Sequence, residues 1–187
     1  SYLYNQSMDR HIGKNEAVMC IKDWTKRMPN GEWGYYWDGI ATLDLERTRL
    51  PKIRKESWQT DTSIGSWTYV KDAKYRSATD IIHELIDIVS KNGNMLLNVS
   101  PMADGTLDRN AYNLLKEIGT WMKVNGESIY GTKHWEIPGT NNQRIVKKGE
   151  KLIYLSILET PEHNKISVPY LAPNKDSSLE INSISIL

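Results

Sequence analysis

Apolar residues along this chain keep two periods, and the change from one to the other divides it. "SYLYNQSMDRHIG" ends like a helix, closed by Gly13. "EAVMCI" and "ATLDLE" are expected as short buried strands. From Ser77 the positions Ile81, Ile82, Leu85, Ile88 and Val89 recur at helical spacing, with Ser77 as cap and Asp80 in the place of a capping-box acid. "KNG" stops that helix, Gly93 being expected to supply the left-handed residue. "NMLLNV" is a continuous apolar run of the kind covered on both faces in a parallel sheet. After "SPMADGT" a second helix carries Ala111, Leu114, Leu115, Ile118, Trp121 and Met122 on one face and ends at Asn125-Gly126.

Strand, helix, strand, helix predicts an α/β fold with a parallel sheet. From about Ile137 the period becomes two. "RIVKKGEKLIYLSIL" predicts two strands around a Lys-Gly-Glu turn, and "KISVPYL" and "SLEINSISIL" are expected to continue an antiparallel sheet, part of a small sandwich. About three parallel strands neither close a barrel nor protect their own edges. The chain is therefore expected to be a segment of a larger protein, or to need a second chain that completes its core.

Composition narrows the function. The 187 residues are 39% hydrophobic and 25% charged with a formal charge of +1, and the basic residues are scattered among acids. That balance argues against nucleic-acid binding, and no apolar run is long enough to cross a membrane. The lone cysteine, Cys20, excludes an internal disulfide and cysteine-based metal clusters, and its apolar neighbours mark it as a small buried hydrophobe. His11, His83, His134 and His163 lack metal-ligand spacing. Seven Trp and ten Tyr with no Phe are rings with a polar edge, suited to a wet, sugar-like surface.

The candidate chemistry lies at strand ends, where parallel α/β folds gather reactive groups. Asp44 and Glu46 share a face, with Glu46 nearer the mouth; Lys22 and Asp23 end the preceding strand, and Asn98 ends the later one. A carboxylic acid near Trp and Tyr can keep its proton near neutrality and act as a general acid. "SWQTDTSIGSW" is expected to be a loop framed by Trp58 and Trp67 that covers Glu46 and excludes water. Structural readings stand beside these: a strand-end Glu is often solvated or salt-bridged, Trp58 and Trp67 could be packing, and "EWGYYWDG" could line a site or fold over the sheet.

"SWQTDTSIGSW", followed by "LIDIVSKNGNMLLNVSPMADGTLDRNAYNLLKEIGTWMKVNGESIYGTKHW", closely resembles the alpha-L-fucosidases of glycoside hydrolase family 29, over residues 1–135 and most specifically from Asn94 to Trp135. The resemblance implies that residues 1–136 are the C-terminal part of a (β/α)8 catalytic barrel and 137–187 the start of a β-sandwich. It also implies a retaining hydrolase of terminal alpha-L-fucosides that uses no metal or organic cofactor, with a fucosylated glycan as partner and an extracytoplasmic location. Glu46, twelve residues before Trp58, takes the position of the acid/base, and Glu56 is the competitor in the charged run "KIRKES". Lys22, Trp58 and Trp67 are the expected sugar contacts; the strand-end Arg of members would fall near Lys22 or Asp23, and Lys22 keeps its charge but not its fork geometry. The nucleophile Asp is expected outside this chain; Asp38 in "YYWDGIA" imitates its setting without following a strand. The chain alone is accordingly expected to be inactive. The alternative is a noncatalytic glycan-binding protein, or a subunit that completes a barrel with a separate N-terminal segment.

Overall fold

A computed structural model describes residues 2–22, 41–161, 163, 165–171 and 181–187. Asp23, Asp38 and the "EWGYYWDG" stretch lie outside them. The element order begins α1 (Tyr2–Arg10), β1 (Cys20–Ile21), β2 (Thr42–Glu46), β3 (Trp58–Ser63), α2 (Ala78–Ser90), β4 (Gly93–Asn98) and α3 (Arg109–Asn125). Three short strands follow, β5 (Lys133–His134), β6 (Gln143–Lys148) and β7 (Leu152–Ile157). The first four strands form one parallel sheet in the order β1-β2-β3-β4, and the last three form an antiparallel sheet. No helix among the described residues is long and apolar enough to cross a membrane.

Local chemistry accounts for the element ends. Gly13, at φ +78°, donates its N–H to the Met8 carbonyl at 2.8 Å and closes α1. The Ser77 hydroxyl accepts from the Asp80 N–H at 3.0 Å to start α2. Asp108 caps α3 by accepting from the N–H groups of Asn110 and Ala111, and its other oxygen accepts from the Tyr75 hydroxyl. That hydrogen bond pushes the Tyr75 phenol up to about 12 and ties the loop after β3 to the start of α3.

The parallel sheet has two unlike faces because strand side chains alternate. Ile21, Leu43, Leu45, Trp58 and Met95 point one way and meet Ile88 of α2. Farther along the same side, Ile64, Ile81, Ala111 and Leu114 form a second cluster with Leu97. The opposite face carries Lys22, Asp44, Glu46, Gln59, Asp61 and Asn98.

Several expectations are corrected here. β4 is parallel as expected, but it stands at the edge of the described sheet with one face covered, and Leu96 on its other face is 56% exposed. "EAVMCI" contributes only Cys20–Ile21 as strand, and Cys20 is exposed because it lies on the uncovered side, opposite Thr42. "WQTDTS" is strand β3 rather than loop, with Thr60 and Thr62 buried beside Trp58 on the helix side. "KISVPYL" is irregular with one 3₁₀ turn at Pro169–Leu171, and residues 181–187 form no strand.

Asn92, at φ +69°, takes the left-handed position after α2 that was expected of Gly93, and its side-chain amide donates to the carbonyls of Arg54 and Lys55, each at 3.0 Å. Gly93 is needed for space instead. It faces Trp58 across the ladder, and a Cβ there would stand 2.5 Å from the indole ring and 2.8 Å from Ile88 Cγ2. Trp58 has little room to retreat: it is fully buried, and its indole N–H donates to the Lys91 carbonyl at 2.9 Å.

The two sheets are joined through α2, which is buried nearly all round. Asp87 sits on it at 3% exposure. Its carboxylate meets Arg144 Nε of β6 at 2.6 Å, Lys91 Nζ at 2.7 Å and Arg49 at 3.6 Å. Burial alone would raise the Asp87 pKa, but the hydrogen bonds and charges of Lys91 and Arg144 outweigh it and hold the carboxyl below its ordinary range.

Two stability predictions follow from this packing. Gly93→Ala should cost about 1–3 kcal/mol in chemical denaturation, as overpacking against a fixed indole does. Asp87→Asn should cost about 1–3 kcal/mol near neutral pH, because it removes the buried charge that Lys91 and Arg144 share. The folded Asp87 pKa is depressed, so the wild-type advantage is complete above the unfolded carboxyl pKa and is lost as pH falls through the folded one. The two proteins should therefore converge in stability in acid, and a constant difference down to pH 2 would count against this role.

Candidate active site

The uncovered face of the parallel sheet collects charge at the C-terminal end of its strands. Parallel register sets Asp44 beside Gln59 and Glu46 beside Asp61. Lys22 follows β1 directly and projects over the same row. Its ammonium lies 2.5 Å from Asp61 Oδ2, 3.5 Å from Glu46 Oε2 and 4.0 Å from Asp44 Oδ2. Burial works against the charged ammonium, but the hydrogen bond and charge of Asp61, followed by Asp44 and Glu46, raise the Lys22 pKa above its ordinary value. Lys22 is therefore a fixed cation at physiological pH.

The carboxylates differ in setting. Asp44 is deeper, its side chain 12% exposed against 41% for Glu46. Burial pushes the Asp44 carboxyl up; the hydrogen bond from Gln59 Nε2, at 3.3 Å, opposes this, Asp61 and Glu46 reinforce it, and Lys22 offsets part of it. Glu46 reaches farther out at the strand end, where a proton could be passed to a bound molecule. Cys20 opens onto the same face, and desolvation of its thiol followed by the Asp44 charge raises its pKa, which disfavours the nucleophilic thiolate.

The rim is built by the turns that follow β2 and β3. Arg47 sits at φ +50°, an uncommon conformation for a side-chain-bearing residue, and its N–H donates to the Asp61 carbonyl at 2.9 Å. Its guanidinium lies over the Trp67 ring, 4.3 Å from the centroid, and donates to the Gly65 carbonyl at 3.0 Å. Asn98, at the end of β4, donates to the Trp67 carbonyl at 3.1 Å. Trp67 is thereby fixed at the lip of the polar face with 37% of its surface exposed.

The expected site residues separate accordingly. Lys22, Asp44, Glu46, Asn98 and Trp67 gather at one end of the sheet. Trp58 does not: it begins β3 at the opposite end, on the helix side, fully buried under Gly93. It is a core residue, and the expectation that it covers the site is corrected. Glu56 also falls away from the rim. It precedes β3 and lies 3.9 Å from Arg54, whereas Glu46 stands beside Asp61, about 10 Å of strand rise beyond Trp58. Asp61 and Arg47 were not singled out from sequence, although the alternation Trp58-Gln59-Thr60-Asp61-Thr62, with an aromatic or β-branched residue at every second position, was the available signal for Asp61. Among the described residues no group of three His, Cys, Asp or Glu side chains is placed to hold a metal ion.

Strand-end carboxylates, a fixed ammonium and an exposed Trp thus share the open face of a helix-backed parallel sheet, at the strand ends where α/β folds gather reactive groups. The sequence model of the Alpha-L-fucosidase family matches residues 4–127, and the chain belongs to that family. The tissue alpha-L-fucosidase of Bos taurus is 32% identical over 191 residues, covering all of this chain and 38% of the relative. The alpha-L-fucosidase of Dictyostelium discoideum is 37% identical over 142 residues, covering 73% of this chain and 28% of the relative. Among solved structures, that of Thermotoga maritima alpha-fucosidase in complex with fucose has a TM-score of 0.61 at 27% identity, covering 82% of this chain and 33% of that one. The chain thus spans less than two fifths of the length of these relatives.

The division between the two tryptophans is open to measurement. Trp58→Ala should lower stability by about 3–5 kcal/mol, as deletion of a buried aromatic does. Trp67→Ala should cost under about 1 kcal/mol and leave the unfolding cooperativity unchanged. Equal losses in parallel urea titrations would mean that Trp67 belongs to the core as well.

Proposed function

We propose that the whole protein hydrolyses terminal alpha-L-fucosides with retention of configuration, and that Glu46 is its general acid/base. In this reading the parallel sheet is part of a (β/α)8 barrel whose inner wall is the polar face, and β5–β7 belong to a β-sandwich behind α2. Parallel strands with helices on one side only, and polar groups on the other, support that architecture. The observation that carries the functional reading is the meeting of Glu46, Asp44, Asp61 and Lys22 on one strand-end rim in a chain of the alpha-L-fucosidase family.

The chemistry asks for two carboxyl groups about 5 Å apart, one attacking the anomeric carbon and one protonating the departing oxygen. Glu46 serves as the second. It donates a proton to the glycosidic oxygen in the first step and takes one from water in the next. Lys22 supplies a positive hydrogen-bond donor for sugar hydroxyls, and the exposed part of Trp67 supplies an apolar surface for sugar C–H groups. Asp44 is the second candidate for the proton donor, since burial raises its pKa and so favours the protonated form.

Substitution separates these roles in the whole protein. Glu46→Ala should reduce hydrolysis of fucosides with poor leaving groups by about 10²–10⁴-fold. An activated aryl fucoside should be much less affected in its first step, and azide should restore turnover by replacing the water that then lacks a general base. Glu56→Ala should stay near wild type. Azide rescue of Asp44→Ala in place of Glu46→Ala would move the assignment to Asp44. A whole protein that binds fucosides but turns none over would be a glycan-binding module instead.

A further inference from the structure

Three carboxylates share one ammonium on the open face, and the geometry of that sharing is uneven. Lys22 Nζ is 2.5 Å from Asp61 but 3.5 Å from Glu46 and 4.0 Å from Asp44. Asp61 is tied on both sides: its carbonyl accepts from the Arg47 N–H at the end of β2, and its own strand is hydrogen-bonded to β4. Its second carboxylate oxygen, Oδ1, is closed off from solvent and has no hydrogen-bond partner among the described residues. A buried anionic oxygen without a partner is costly unless a cation stands next to the same group. Asp61 is therefore committed to Lys22 in a way that the more exposed Glu46 is not. The groups that face Asp61 are Lys22 beyond β1, Asp44 and Glu46 on β2, Gln59 and Ser63 on its own strand, and Leu96 and Asn98 on β4. Leu96, directly beside Asp61 in the register, shows that this row of the face tolerates an apolar side chain.

We propose that Asp61 is a positioning residue for the reaction: it takes the closest contact of the Lys22 ammonium, 2.5 Å against 3.5 Å for Glu46, and so weakens the cation's hold on the carboxyl group that must donate a proton. This rests on the reading of Glu46 as acid/base. A general acid has to be protonated when the glycosidic bond breaks, and a cation in contact with it favours the ionised form. Lys22 is already within 3.5 Å of Glu46, so with Asp61 neutral the nearest remaining carboxylate is Glu46. The lysine then stays on the sugar-facing wall while its charge is balanced elsewhere.

The test is the pH profile of kcat/KM on an unactivated fucoside, measured on the whole protein. Its alkaline limb marks loss of the donor's proton. In Asp61→Asn that limb should move to lower pH by on the order of one unit, as a cation arriving beside a carboxylate produces. Direct repulsion between Asp61 and Glu46 would give a downward shift with or without the lysine. In the Lys22→Gln background the Asp61→Asn substitution should therefore move the limb by less than half as much, and a full shift there would overturn the proposal. Should Asp61→Asn fail to fold, Asp61→Leu takes its place, since the neighbouring Leu96 is apolar: it should move the limb downward by a similar amount, and an unmoved limb would overturn the proposal. A crystal structure of Asp61→Asn should show Lys22 Nζ on the Glu46 carboxylate, and an unmoved ammonium would overturn it. If the ammonium moves, the limb does not, and azide fails to rescue Glu46→Ala, the failure lies in Glu46 as donor and the proposal falls with it. If azide does rescue Glu46→Ala while the limb stays in place, Asp61 has no hold on the proton and the proposal alone is wrong.

Discussion

The alternation of side chains across the parallel sheet is the constraint from which the rest of this structure follows. Each strand sends every second residue toward α2 and α3 and the others away from them. Burying Leu43, Leu45 and Trp58 on the helix side therefore fixes Asp44, Glu46, Gln59 and Asp61 on the other. A one-residue slip of β2 against β3 would drive Asp44 and Glu46 into the apolar core and expose Leu43 and Leu45, so the register that holds the fold also aligns the charged row. The Gly93–Trp58 contact reinforces that register. The indole fits only where the facing strand has no side chain, and that point is the first pair of the β3–β4 ladder.

Stability and chemistry occupy different parts of this arrangement. The large apolar burials, the capped helices and the Asp87–Arg144 link all lie on the helix side or beyond it. The open face holds groups whose mutual repulsion makes a poor contribution to folding: Asp44, Glu46 and Asp61 surround a single ammonium. Charges crowded at the strand ends of a parallel sheet, where they add little to folding, support the proposed reading of this rim as a site. The rim adds local strain, since Arg47 takes a positive φ to lay its guanidinium on Trp67.

Much of this was legible in the sequence where the signal is local and periodic. The Ser77 cap, the apolar stripe of α3, the Gly13 closure and the β6–β7 hairpin around Gly149 come from spacing and turn chemistry that depend on few distant contacts. Glu46, Asp44 and Lys22 were legible as neighbours because strand ends of one parallel sheet share a rim. What escaped depends on pairing. β3 is rich in hydroxyl residues and resembles a loop until its threonines are packed under helices. Asp61 is unremarkable until the register puts it beside Lys22. Asp87 meets Arg144 across 57 residues of chain, and no helical period announces it. Gly93 was expected from sequence to make the turn after α2, but Asn92 makes it, and Gly93 makes room for Trp58.

On the function proposed, the polar face of this sheet receives an L-fucose unit with Glu46 at its leaving-group oxygen. The most direct measurement is a crystal structure of the whole protein, inactivated by Glu46→Gln, with an unhydrolysed alpha-L-fucoside bound. The sugar should lie on the open face, within hydrogen-bond reach of Lys22, with the residue 46 side chain about 3 Å from the glycosidic oxygen. A sugar bound elsewhere on the protein, or on this face with residue 46 turned away from that oxygen, would contradict it.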